Sequence, residues 1–122
     1  MNNLRFIFEC LYGTYLLKID LIDELSYEIT TDIRGFETRK GSGELMPFQE
    51  LLDKANIEKW DKEYGPFGIG VEDEIRWSLR YEKDGKIYCT KGQESYEPYG
   101  YEYFIEALKL IEPQADFFAA AA

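Results

Sequence analysis

Two groups of carboxylates are the only side chains in this sequence whose types and spacing could do chemistry: Glu102 and Glu106, one helical turn apart, and the run Glu72-Asp73-Glu74. Either could hold a hard cation through oxygen, or act as a general acid and base. Neither spacing is specific. The calcium-loop pattern of an EF-hand is absent, and charged runs of this kind ordinarily lie in water. The chain has no histidine, which removes the commonest general base near neutral pH, the commonest metal ligand and any histidine-assisted nucleophile. Ser26, Ser42, Ser78 and Ser95 stand in no Gly-x-Ser-x-Gly elbow. Cys10 and Cys89 have neither metal-ligand nor redox spacing, and the glycine-rich stretch from Arg34 to Gly43 lacks the spacing and terminal Lys-Ser or Lys-Thr of a phosphate loop. No catalytic residue, metal or cofactor is expected on these grounds.

Aromatic residues are the more informative excess, with ten Tyr, eight Phe and two Trp making 16% of the chain. Trp60, Tyr64, Phe67, Tyr96, Tyr99, Tyr101 and Tyr103 fall on a long loop or around the start of the last helix. Tyrosine-rich loops suit contact surfaces, because the ring supplies area at little entropic cost and the hydroxyl finds a polar partner. The competing reading is that these rings plug the open end of a sheet. Charge favours contact, since Glu94, Glu97, Glu102, Glu106, Glu112 and Asp116 crowd the same region with Lys109 among them.

Overall the chain carries 24 acidic and 14 basic residues, for a net charge of -10, and the excess is spread evenly along it. Such a surface repels phosphate backbones and anionic membrane, and the densest basic run, Arg39-Lys40, is too short to form a patch. The expected partner is a protein, in particular a basic one, and neither nucleic acid nor membrane. Its expected contact residues are Trp60, Tyr64, Tyr96, Glu97, Tyr99, Tyr101, Glu102 and Glu106. A small-ligand module, or a carboxylate-based enzyme using a Tyr-rich loop pocket, is the alternative. Oligomeric state stays open at this level.

These residues need a scaffold, and 122 residues make one globular domain. Leu4, Phe6, Phe8 and Cys10 alternate with Arg5, Ile7, Glu9 and Leu11, which predicts a strand; Tyr15 to Leu21 and Ser26 to Ile33 repeat the pattern. A short edge strand is expected around Phe36 to Arg39. Pro47 opens an amphipathic helix from about Met46 to Trp60, with Phe48, Leu51, Leu52 and Ala55 inward.

The stretch from Ile75 to Lys83 is a strand with Trp77, Leu79 and Tyr81 on one face and Arg76 and Arg80 on the other. Asp84-Gly85 turns it. A bulge at Gly85 would align Ile87 and Cys89 with Tyr81 and Leu79, and set Glu82 opposite Lys86. Tyr101 to Glu112 reads as a helix with Phe104, Ala107, Leu108 and Ile111 inward, stopped by Pro113. The predicted fold is therefore α+β, an antiparallel sheet of about five strands in the order β-β-β-α-β-β-α with two helices packed on one face. Residues 1–113 form the domain and 114–122 a C-terminal tail without periodicity. The apolar N-terminal stretch carries Arg5 and Glu9 and lacks a cleavage pattern, so a cytoplasmic protein with reduced, buried cysteines is expected.

Residues 48–112 also carry a likeness. Ala55-Asn-Ile-Glu-Lys-Trp60, Tyr64-Gly65, Trp77-Ser-Leu-Arg-Tyr81, Asp84-Gly85-Lys86, Gly92 and Pro98, followed by a helix, resemble a family of small uncharacterised bacterial proteins. Its members join a Trp-x-Leu-x-Ile/Tyr strand to an Asp-Gly hairpin, a Gly/Pro loop and a C-terminal amphipathic helix. Glu94-Ser-Tyr-Glu-Pro98 departs from the family's Ser-Asn-Ala-Tyr-Pro form. The resemblance implies the fold and a bacterial or phage origin, and it transfers no catalytic residues. Small size, absent catalytic chemistry and the acidic aromatic region point to a non-enzymatic binding protein in the manner of immunity proteins, antitoxins or phage-encoded inhibitors of defence systems.

Overall fold

Period-two burial builds the sheet. The computed structural model describes residues 2–65, 75–93 and 96–119. In β1 (Asn3–Cys10) Leu4, Phe6 and Phe8 are buried while Arg5 and Glu9 are exposed. β2 (Gly13–Ile22) buries Tyr15, Leu17, Ile19 and Leu21 on the same face, and β3 (Glu24–Thr31) adds Leu25 and Ile29. Their registers set Phe6 beside Leu17 and Leu17 beside Ile29, so one apolar layer runs across three strands.

β4 (Arg39–Gly43) extends this sheet at one edge, a few residues beyond the stretch the sequence suggested. After α1 (Leu45–Ala55) come the short β5 (Glu63–Tyr64), then β6 (Arg76–Lys83) and β7 (Lys86–Gln93). The strands lie in the order β4-β3-β2-β1-β6-β7-β5. The sheet thus has seven strands instead of about five, and it is mixed, because β5 pairs parallel with β7. Both uncounted or displaced elements are edges: β4 is Arg-Lys-Gly-Ser-Gly, with little strand propensity, and two residues of β5 are too few to show a period.

The β6–β7 hairpin corrects the expected bulge. Lys83 opposes Lys86, Glu82 opposes Ile87 and Arg80 opposes Cys89, which leaves a two-residue turn at Asp84-Gly85. Both turn residues have positive φ, 52° and 82°, the conformation that matches strand twist and favours Asp-Gly. Ile87 and Cys89 therefore lie exposed on the open face, while Tyr88 and Thr90 point to the core side. β7 sits near the sheet's edge, where little core needs Ile87. Instead Thr90 donates its hydroxyl to the Asp61 carbonyl at 2.6 Å. Gly92 lies under Trp77, whose indole a Cβ there would overlap.

Among the described residues both α-helices bury their apolar stripes in the same core cluster as Leu4, Leu17 and Ile29 of the sheet. α1 buries Phe48, Leu52 and Ala55 and ends earlier than expected, at Asn56, which adopts the left-handed conformation with φ 58° and leads into a 3-10 turn at Ile57–Lys59. Asn tolerates that conformation better than most residues. α2 (Tyr101–Lys109) buries Phe104, Ala107 and Leu108, with Tyr101 and Ile105 added to the expected stripe.

Residues beyond Pro113 return to the core. A 3-10 helix at Ala115–Ala119 buries Ala115 and Phe118, and Phe118 packs against Phe6, Phe8, Tyr15 and Phe36. Glu112, counted among the surface acids from sequence, is buried. Its carboxylate accepts the Tyr15 hydroxyl at 2.9 Å and pairs with Arg39 at 3.5 Å. Arg39 also donates to the Ile111 carbonyl and lies over the Tyr27 ring. The C-terminal segment is thereby fastened to β2 and to the β4 edge. Burial and the adjacent Glu112 raise the Tyr15 hydroxyl far above its ordinary pKa, so it remains a neutral donor.

Both cysteines are free thiols, Cys10 half-buried and Cys89 exposed. The expectation that both are buried fails at Cys89, which the hairpin register turns outward, and is only half met at Cys10. No helix among the described residues is long and apolar enough to cross a membrane.

Candidate functional site

The expected contact residues divide into those that build the end of the sheet and those that leave it. Trp60 turns inward after the 3-10 turn and donates its indole N–H to the Ala55 carbonyl at 2.9 Å. Its ring meets Trp77 and Phe104 edge-on at 6.2 and 6.0 Å. Tyr64 stacks on Trp77 at 6.2 Å, and its hydroxyl accepts the Asp61 N–H at 2.8 Å. Tyr101 is withdrawn from the surface altogether. It is 1% exposed, packs on Trp77 at 5.2 Å and donates its hydroxyl to the Phe118 carbonyl at 3.1 Å. Tyr101 shares the inward stripe of α2 with Phe104, Ile105 and Leu108, at spacings of three, four and seven, and a tyrosine can go there because the Phe118 carbonyl satisfies its hydroxyl. Around Trp77, then, the rings close the end of the sheet.

The same anchoring projects the others outward. Gly100, with φ 97°, begins α2 against the Ala55 carbonyl, where a Cβ would overlap that group. With Tyr101, Phe104, Ile105 and Leu108 inward, helical spacing leaves Glu102, Tyr103 and Glu106 on the solvent side. Tyr99 is 96% exposed, and Tyr96 and Tyr103 are partly exposed, at 47% and 39%. Glu97 is exposed too. Partial desolvation, aided by the Glu102 charge, holds its carboxyl above the ordinary glutamate range. Lys109 pairs with Glu106 at 3.4 Å and Asp116 at 3.1 Å, so one cation offsets the far end of this acidic segment.

The remaining sequence candidates are not assembled into a centre. Glu72-Asp73-Glu74, Phe67 and Glu94 lie outside the described residues. Glu102 and Glu106 face water, and among the described residues no three metal-capable side chains converge. Two concavities, of about 450 and 230 Å³, lie away from the tyrosines, and neither is lined by any residue from 96 to 106.

Both concavities lie on the sheet face opposite the helices, and sequence reasoning missed that face. Arg5, Lys18 and Lys40, the basic residues around the larger one, come from three strands and never adjoin in sequence. Only the cross-strand register, with alternation applied to every strand at once, could have brought them together.

Comparison with models of known protein families and with curated proteins finds no match.

Proposed function

We propose that this chain is a non-enzymatic binding protein. It recognises a basic protein partner through Tyr96, Glu97, Tyr99, Glu102, Tyr103 and Glu106, in the manner of immunity proteins, antitoxins or phage-encoded inhibitors, and it acts in the cytoplasm. The observation that carries this reading is Tyr99. A tyrosine 96% in water, next to the glycine that seats α2, offers a large ring on a rigid base, which is the form of a contact anchor. The flanking carboxylates would steer a cationic partner and reject acidic ones. Trp60, Tyr64 and Tyr101 act beneath this surface as its support, since a rigid base lowers the entropic cost of binding.

Affinity capture tests the proposal, with the wild-type chain and a Tyr99→Ser variant as parallel baits in bacterial lysate. The expected result is a basic protein retained by the wild type, released as salt rises from about 0.1 M to 1 M, and much depleted on the variant. Identical retention by both baits, or retention indifferent to salt, would contradict it.

A further inference from the structure

The uncovered face of the sheet carries a row of charges assembled from five strands. Register sets Lys40, Glu28, Lys18, Arg5 and Arg80 side by side across β4, β3, β2, β1 and β6, each about 4.8 Å from the next. Arg80 is engaged by Asn3 and Glu82, both at 3.5 Å. Arg5, Lys18 and Lys40 are exposed and make no ion pair among the described residues.

Like charges directly opposite each other destabilise a sheet. Yet Lys18, Arg5 and Arg80 stand three in succession in a chain with a net charge of -10. Around them lies the concavity of about 450 Å³, whose lining also includes Asp20, Ser26 and Glu28. That volume falls in the range of small-ligand sites.

We propose that this concavity binds a small phosphorylated polyol. Arg5 and Lys18, adjacent across β1 and β2 and held in no ion pair among the described residues although Glu28 stands on the other side of Lys18, match the two negative charges of a phosphomonoester, with the planar guanidinium able to donate two hydrogen bonds to it. Asp20, Glu28 and Ser26 supply acceptors for the ligand's hydroxyls. The same acids disfavour a long polyanion, because Glu28 interrupts the cationic row. Tyr27, the aromatic residue in the lining, pairs with core-facing Ile19 and has Arg39 over its ring, so the open face presents no row of rings of the kind a single-stranded nucleic-acid site uses for stacking. This site is separate from the tyrosine surface and stands independently of it.

The test is a titration of the 15N-labelled chain, followed by amide shifts, with glucose 6-phosphate, adenosine 5′-monophosphate, inorganic phosphate, glucose and a short single-stranded oligonucleotide. Saturable shifts in β1, β2 and β3 are expected with one of the two phosphorylated polyols at a Kd below about 1 mM. Inorganic phosphate should bind more weakly at the same amides, and glucose not at all. The double variant Arg5→Gln/Lys18→Gln should lose affinity by at least about tenfold. Its melting temperature should be unchanged or higher, since it relieves opposed like charges. Lys40→Gln gives an independent single-site reading and should weaken binding to a lesser degree. Absence of saturable shifts on these strands with both polyol phosphates, affinity unaltered in the double variant, or tighter binding of the oligonucleotide at this face would each overturn the proposal.

Discussion

Phe118→Ala is expected to lower the stability of the fold by about 3 to 5 kcal/mol, the range for deleting a buried phenylalanine. The side chain is 3% exposed and its ring meets Tyr15 at 4.7 Å, Phe8 at 5.0 Å and Phe6 at 5.2 Å. Removing it opens a void over the centre of β1 and β2, where the sheet cannot collapse because its strands are paired on both sides. The backbone there is anchored as well, since the Phe118 carbonyl accepts the buried Tyr101 hydroxyl, so the 3-10 turn cannot shift inward without breaking that bond. Urea unfolding measures the effect. A loss under about 1 kcal/mol, the scale of ordinary surface changes, would show that the last residues are not part of the core.

The second large effect is expected at Glu112. Changing it to Ala leaves the buried Tyr15 hydroxyl without its acceptor and the half-buried Arg39 without its carboxylate. Breaking a buried pair from one side costs about 3 to 5 kcal/mol when both groups are fully desolvated. Arg39 keeps some solvent, with 27% of its side chain exposed, so about 2 to 3 kcal/mol is the expected loss. The double variant with Tyr15→Phe should lose less than the sum of the two single changes, because the orphaned hydroxyl is then gone. A Glu112→Ala protein as stable as one carrying Glu106→Ala, whose side chain is exposed, would refute the assignment.

These two residues also mark where sequence reasoning stops. Strict alternation made β1 to β3 and β6 legible, and Trp77 and Leu79 fall on the core face, away from Arg76, as the pattern required. Helical spacing placed Phe48 and Leu52 correctly in α1, and Phe104 and Leu108 in α2. Phe118 follows a proline in a stretch without period, and a short 3-10 turn offers no repeat to detect. Glu112 reads by its charge as a surface residue, while its burial depends on Tyr15 and Arg39, far away in the chain. At the β6–β7 hairpin, apolar character alone favoured Ile87 and Cys89 as inward residues, and the turn chemistry of Asp84-Gly85 decided otherwise.

Within the candidate surface, Glu97, Tyr99, Glu102 and Glu106 are exposed as expected. Tyr101 is not, because helix phase at α2 turns it to the core. The row of cations on the open face had no sequence signature at all, since each residue is isolated within its own strand.

If the acidic tyrosine surface at the start of α2 meets a basic partner, the association rate of a captured partner must respond to the triple variant Glu97→Gln/Glu102→Gln/Glu106→Gln. All three side chains are exposed, so the melting temperature should be nearly unchanged. Loss of steering should slow association about tenfold and flatten its dependence on salt. In the wild type the rate should also begin to fall with pH at Glu97 first. Its carboxyl sits above the ordinary range, so it takes up a proton and loses its charge before an unperturbed glutamate does. A triple variant that associates at the wild-type rate, with the wild-type salt dependence, would contradict the claim and leave this acidity as a solubility feature.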